Sequence, residues 1–253
     1  MNGPTRRIRL TVSYDGTDYA GWQRQANAMS VQQRLEEAVQ SLTGETATVT
    51  GASRTDAGVH ALGQAAHFDT QSAIPAEKFC FALNTRLPDD IRVTGSFPAP
   101  DGFHARFDAQ GKTYRYQIHN SEHASAMYRH LTAHVSRPLD AELMNRAAQA
   151  VVGMHDFAAF AAAGSEAKTT VREIWRADVR REGELVELLV SGRSFLYNMV
   201  RILAGTLIYI GIGKLPPECL QKALQTRNRL DLGITAPACG LTLMNVYYAP
   251  DKL

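Results

Sequence analysis

The sequence predicts an α+β protein made of two β-α-β-β-α-β lobes, on three observations. Runs such as Ile8, Leu10, Val12 and Tyr14 alternate apolar with polar residues, which is the period of a half-buried strand. Amphipathic runs with recognisable stop signals separate them. Over residues 1–109 the order of these runs is that of the ferredoxin-like split unit, and residues 110–253 read as a looser variation on the same plan. A chain of 253 residues is large for one domain, and 45% hydrophobic with 21% charged residues is ordinary globular composition.

In the first lobe, Ser30 opens a helix with Gln33 at the capping-box position. Val31, Leu35, Ala38, Val39 and Leu42 form its apolar stripe, and Gly44 ends it. Strands are expected at 47–51 and 65–70, a second helix over 75–86 with Pro75 in its first turn, and a closing strand over 91–97. The small-polar stretch Ala109-Gln110-Gly111 marks the boundary. Beyond it, Tyr114, Tyr116 and Ile118 alternate, and so do the residues of 131–135. A helix is expected over 139–152, and strands over 171–181 and 185–191 flank Glu182-Gly183-Glu184. Ser194 is placed to cap a long apolar helix, which Pro216-Pro217 breaks from a shorter one ending near Arg227. A final strand covers 241–248.

Composition removes several classes of function. Cys80, Cys219 and Cys239 are dispersed and odd in number, as reduced thiols in a cytosolic protein would be. Arg6, Arg7 and Arg9 are followed by alternating residues and not by the apolar core of a signal peptide. Residues 195–212 are the most apolar stretch, but Asn198 and Arg201 interrupt it, and an arginine in hydrocarbon is costly. A buried helix, no membrane partner and a cytoplasmic location are therefore expected. The net charge of +2 divides as 10 basic against 12 acidic residues in 1–110, and 17 against 13 in 111–253. That leaves RNA binding undecided. His60, His67 and His104 lie on separate segments without ligand spacing, so no metal site is expected. Gly211-Ile212-Gly213-Lys214 lacks both the first glycine and the Ser/Thr of a phosphate loop.

The richest chemistry lies in Gly51-Ala52-Ser53-Arg54-Thr55-Asp56-Ala57-Gly58-Val59-His60-Ala61. Asp56 stands two residues after Arg54, and a nearby cation favours the carboxylate form. Such a carboxylate on a small-residue loop can act as nucleophile or base. On local chemistry alone it reads more readily as a turn capped by Asp56, with Arg54 in a surface ion pair. Tyr114 shares a strand face with Tyr116 between Lys112 and Arg115, which reads either as core packing or as a stacking ring with phosphate-binding neighbours. Arg201 sits in an apolar helix beside Asn198 and Gly205, either snorkelling from a helix end or paired, since an unpaired buried charge is expensive.

This loop resembles the signature of the bacterial TruA-type tRNA pseudouridine synthases, and the likeness runs almost end to end. It includes Tyr14-Asp15-Gly16, Gly21-Trp22-Gln23, Val31-Gln32, Leu35-Glu36, Gln64 to Thr70, Ala82-Leu83-Asn84 and Leu87-Pro88. It continues through Phe103-His104-Ala105-Arg106-Phe107, Lys112-Thr113-Tyr114-Arg115-Tyr116 and Asn198-Met199-Val200-Arg201. Ser53 departs from the pattern, standing where the family usually has glycine. The resemblance implies the pseudouridine synthase fold, two α/β lobes around a basic cleft, and an isomerase without cofactor acting at tRNA positions 38, 39 and 40 in the anticodon stem-loop. It implies Asp56 as nucleophile, Arg201 as its charge partner, and Tyr114 as the ring stacked on the uracil that handles the C5 proton. Arg54, Arg24, Lys112, Arg115 and Asn198 become candidate substrate contacts, and a homodimer the working form. Two rivals are an RNA-binding protein with vestigial catalysis and a synthase of this fold directed at another RNA. A metal-dependent hydrolase would need a ligand cluster that the sequence does not offer.

Overall fold

A computed structural model describes residues 4–162, 164 and 168–249. The chain divides into two compact units, Met1–Gln110 with Leu243–Leu253 and Gly111–Thr242.

In the first unit, strand β1 (Arg6–Tyr14) buries Ile8, Leu10, Val12 and Tyr14, as its alternation requires. It lies antiparallel between β3 (His60–Thr70) and β4 (Ile91–Pro98), with Ile8 opposite Phe68 and Leu10 opposite Ala66. Helix α1 (Val31–Thr43) starts where Ser30 accepts a hydrogen bond from the Gln33 N–H at 3.2 Å, and stops at Gly44 in the left-handed region. The reciprocal arm of a capping box is absent, because the Gln33 amide donates to Glu37 at 2.8 Å. The expected strand over 47–51 shrinks to β2 (Thr50–Gly51), paired with His67 and Ala66 of β3. Its first half leaves the ladder because the Val49 N–H donates to Glu36 Oε1 on α1 at 3.1 Å.

The second helix is shorter than expected. A 3-10 turn at Ala76–Lys78 leads into α2 (Phe79–Asn84). The Asn84 amide then clasps β4 through both backbone groups of Val93, at 2.8 and 2.9 Å. Phe68 and Phe79 meet edge to face at 5.3 Å in the core under the helices. A smaller core of Ala52, Ala65, Phe103, Ala105 and Tyr248 forms separately from it.

The second unit repeats the plan. Strand β5 (Gly111–Asn120) runs antiparallel to β9 (Leu185–Gly192), which pairs with β8 (Val171–Glu182), and β8 with the short edge strand β7 (Gly153–Asp156). Strand β6 (Ala133–Val135) adds a parallel pairing to β5. The β8–β9 hairpin turns on Gly183, whose positive φ at the first loop position suits a type II′ turn. Helix α3 (Ala141–Ala148) is capped by Asp140 and continues as a 3-10 turn to Val151. Helix α5 (Cys219–Thr226) follows the two prolines, and β10 (Leu241–Tyr247) runs from this unit into the first, beside β3.

Helix α4 (Met199–Gly211) begins later than the sequence suggested. Ser194 does not cap it. The Met199 N–H instead bonds Leu196 O at 3.1 Å, and the N-cap is Asn198 at φ 60°, a conformation asparagine tolerates better than most residues. The helix is buried as expected, and Gly205 lets the chain at Ile234 cross so closely that a methyl group there would meet the Ile234 carbonyl at 2.0 Å. Among the described residues no helix is long and apolar enough to cross a membrane.

Candidate active site

Asp56 follows β2 on a loop held from beneath by buried polar contacts. The Gln64 side-chain amide, fully buried, accepts from the Ser53 N–H at 3.1 Å and donates to Ser53 O at 2.7 Å. Ala52 N–H bonds Ala65 O at 2.8 Å. Ser53 is thus held by its backbone, and its side chain is buried without breaking the loop.

Thr55 is the keystone of the local geometry. Its hydroxyl lies 2.7 Å from the Tyr14 hydroxyl in the interior, and its carbonyl accepts the Trp22 N–H at 3.0 Å. Asp56 O then accepts the Val59 N–H at 3.1 Å, closing a turn with Gly58 at φ 75° in its third position, the type II pattern. Two glycines make room for this loop. A β-carbon on Gly21 would lie 2.4 Å from Thr55 O, and one on Gly16 would lie 2.0 Å from Val59 O. Thr55 is buried, Asp56 half-buried and Arg54 exposed, so the loop presents alternate side chains outward. His60 reinforces the turn: its Nδ1 accepts the Gly16 N–H at 3.0 Å. That acceptor role leaves no Nδ1 proton for Asp15 Oδ1, 3.1 Å away, so their proximity is not a hydrogen bond through this nitrogen. Asp15 Oδ1 instead takes the Thr17 N–H and hydroxyl.

Arg24, in the same unit, is tied by its guanidinium to Glu36 at 2.8 Å and by its N–H to Gln32. It faces a groove lined also by Glu37 and Gln40, so its charge is largely answered by its own protein.

The other candidates lie in the second unit. Lys112 and Tyr114 share the β5 face of buried Tyr116, whereas Arg115 points to the opposite face and pairs with Glu187 at 3.6 Å. Tyr114 is half-buried with its ring edge-on to Phe195, centroids 5.1 Å apart. Tyr116 is core, its hydroxyl donating to Pro237 O at 2.8 Å and its pKa pushed up by burial. Neighbouring Ala236 O accepts Nε of Arg201 at 2.9 Å, while Arg201 Nη1 donates to Asn198 Oδ1 at 2.8 Å. Asn198 therefore spends its side chain on the guanidinium and not on capping its helix. An arginine fixed through two of its nitrogens presents its charge with little rotamer freedom left to lose.

Sequence reasoning passed over Gln64, Thr55, Tyr14 and the two glycines as builders of the loop. The signal for Gln64 was available: an amide amid Ala61, Ala65 and Ala66 on a strand needs a partner once buried. Among the described residues no group of three or more His, Cys, Asp or Glu side chains could hold a metal ion.

Comparison with known proteins bears on what this arrangement does. The family described as tRNA pseudouridine synthase matches residues 10–108 and 147–249. A tRNA pseudouridine synthase A of Acetivibrio thermocellus is 51% identical over 243 residues, covering 96% of this chain and 100% of that protein. The proteins of the same name from Thermoanaerobacter sp. and Pelobacter propionicus are 44% and 46% identical, with the same coverage.

Proposed function

Because the chain belongs to the family of tRNA pseudouridine synthases, isomerases that act on tRNA, we propose that it converts uridine to pseudouridine at positions 38, 39 and 40 of the anticodon stem-loop, with Asp56 as nucleophile. The observation that carries the assignment is the loop itself. Asp56 follows a threonine locked on both its hydroxyl and its carbonyl, so the carboxylate is delivered by a backbone with little freedom to drift. Pre-positioning of this kind is how a site lowers the entropic part of a barrier.

The reaction breaks the bond between N1 of uracil and C1′ of ribose, turns the base, and joins C5 to C1′. Asp56 either attacks C1′ or initiates departure of the base towards a glycal-like intermediate. The C5 proton then leaves and N1 takes one up, so atoms and electrons balance without a redox partner or cofactor. By resemblance Tyr114 is given the role of stacking on the uracil and handling the C5 proton. By resemblance Arg201 is given the role of charge partner to Asp56, and its guanidinium is fixed in its own unit by Asn198 and Ala236. Arg54, Lys112, Arg24 and Arg115 are the candidate substrate contacts, of which Arg24 also pairs with Glu36 and Arg115 with Glu187. The enzyme would act as a homodimer in the cytoplasm.

Carbodiimide modification with primer extension maps the product. Unmodified tRNA treated with the wild type should acquire stops in the anticodon arm, and tRNA treated with Asp56→Ala should acquire none. Stops that persist with Asp56→Ala would remove the nucleophile assignment, and tight binding without stops would favour an RNA-binding role.

A further inference from the structure

The segment from Phe103 to Asp108 takes no part in the site described above, and it is built in two layers. Phe103 and Ala105 are fully buried in the small core with Ala52, Ala65 and Tyr248. Their backbone is pinned: the Arg7 guanidinium donates to Phe103 O, Ala105 N–H donates to His67 Nδ1 at 3.1 Å, and the Tyr248 hydroxyl donates to Ala105 O at 2.6 Å. Ala52, in the same core, begins the loop that carries Asp56 four residues later.

The outer layer is His104, Arg106 and Phe107. His104 and Asp108 close the loop on itself, the His104 N–H donating to Asp108 Oδ2 at 2.8 Å and the Asp108 N–H to His104 O at 3.0 Å. His104 Nδ1 accepts the N–H groups of Arg106 and Phe107 at 3.2 and 3.3 Å. The imidazole thereby stacks on Phe107, with centroids 4.2 Å apart and planes 31° apart, and the Arg106 guanidinium carbon lies 6.0 Å from the phenyl centroid. Phe107 is nevertheless 76% exposed. Phe103 already fills the core, so the Phe107 ring, fixed by its stack on His104 and by the bonds of its own loop, offers solvent an aromatic face that packing does not use.

We infer that His104, Arg106 and Phe107 form a stacking platform for an unpaired nucleotide of the RNA substrate, with Arg106 meeting its phosphate; this rests on the tRNA-modifying reading above. A fixed aromatic face accepts any base, and an adjacent arginine adds backbone charge contact without reading sequence. The loop of Asp56 and the platform share one small core, which places both on the same rigid footing.

The test compares Phe107→Ala, Phe107→Trp and Arg106→Ala with the wild type on unmodified tRNA, reading affinity by filter binding and turnover separately. Phe107→Ala should raise Kd and KM about 5- to 150-fold, the range of one lost base stack, while kcat at saturating tRNA is retained. Phe107→Trp should restore binding, and Arg106→Ala should lower the log–log salt slope by about 1. Leu230→Ala, which removes an 88% exposed leucine elsewhere, should leave Kd unchanged. Wild-type affinity in Phe107→Ala overturns the platform, as does a loss that Phe107→Trp fails to repair. A wild type that binds tRNA without modifying it overturns the functional reading alone, since Phe107→Ala still judges the platform by affinity.

Discussion

Gly21→Ala should damage catalysis through a residue with no functional group. Gly21 sits at φ 92°, and its missing β-carbon leaves room for the loop of Asp56: a methyl group there would lie 2.4 Å from Thr55 O, 3.0 Å from Asp56 C and 3.2 Å from Ala57 N. Bringing the closest contact to the 3.0–3.4 Å that real side chains tolerate requires the loop to retreat by about 0.6–1.0 Å. The left-handed backbone costs a further ~1–2 kcal/mol for any residue with a β-carbon. For a chain of this size that is a fall in Tm of about 2–8 °C. A displacement of about 1 Å between catalytic group and substrate costs roughly 100-fold in rate, or ~2.7 kcal/mol of barrier. Gly44→Ala supplies the comparison, since Gly44 is at φ 75° with nothing within 4 Å of the added methyl. Single-turnover rates on unmodified tRNA and thermal melts of both variants separate the two effects. Both variants should lose stability, and only Gly21→Ala should lose kcat. A Gly21→Ala enzyme within twofold of wild-type kcat, or an equal loss in Gly44→Ala, would refute the idea that this glycine positions the loop.

Three further outcomes are expected. Gln64→Leu strands the Ser53 N–H and carbonyl in the interior, at about 1–3 kcal/mol each, so urea unfolding should show a loss of ~2–6 kcal/mol; less than 1 kcal/mol would mean that the loop finds other partners. Arg201→Met should cut kcat at least tenfold with little change in melting, and Arg201→Lys should recover only part of it, because an ammonium cannot reach Asn198 and Ala236 together; full recovery would show that charge alone matters. His67 is held to a pKa of about 4, against 6.5 for the free side chain, chiefly by burial and then by the nearby Arg7 charge. The unfolded chain therefore binds the extra proton between those values, and stability should fall as pH drops from about 6.5 to 4. His67→Gln, which keeps an acceptor for Ala105 N–H without titrating, should flatten that part of the urea-midpoint profile, and an unchanged slope would assign it to other groups.

Local rules carried the elements whose ends are set by their own residues. Ser30 and Gly44 bound α1 because a hydroxyl acceptor and a left-handed glycine satisfy orphan backbone groups within a few residues. The alternation of β1 fixed its buried face for the same reason of short range. The errors share a cause, a side chain that takes a backbone or capping group which the local pattern assigned elsewhere. Glu36 takes the Val49 N–H and truncates β2, and Arg201 takes the Asn198 side chain and leaves α4 to start on an uncapped, left-handed residue.

The candidate residues divide in the same way. The sequence by itself determined the family, the α+β plan, and the candidate residues for the chemistry, since these are written in ordered local motifs such as Arg54-Thr55-Asp56. Only the tertiary structure decided that Tyr14, Trp22, Gln64 and two glycines immobilise that loop, that Tyr116 is core while Tyr114 is not, and that Phe107 stays in solvent. Apart from Phe107, whose loop is closed by near neighbours, those outcomes depend on hydrogen bonds and close contacts between residues many positions apart, and no periodicity or local propensity encodes which distant group arrives to fill them.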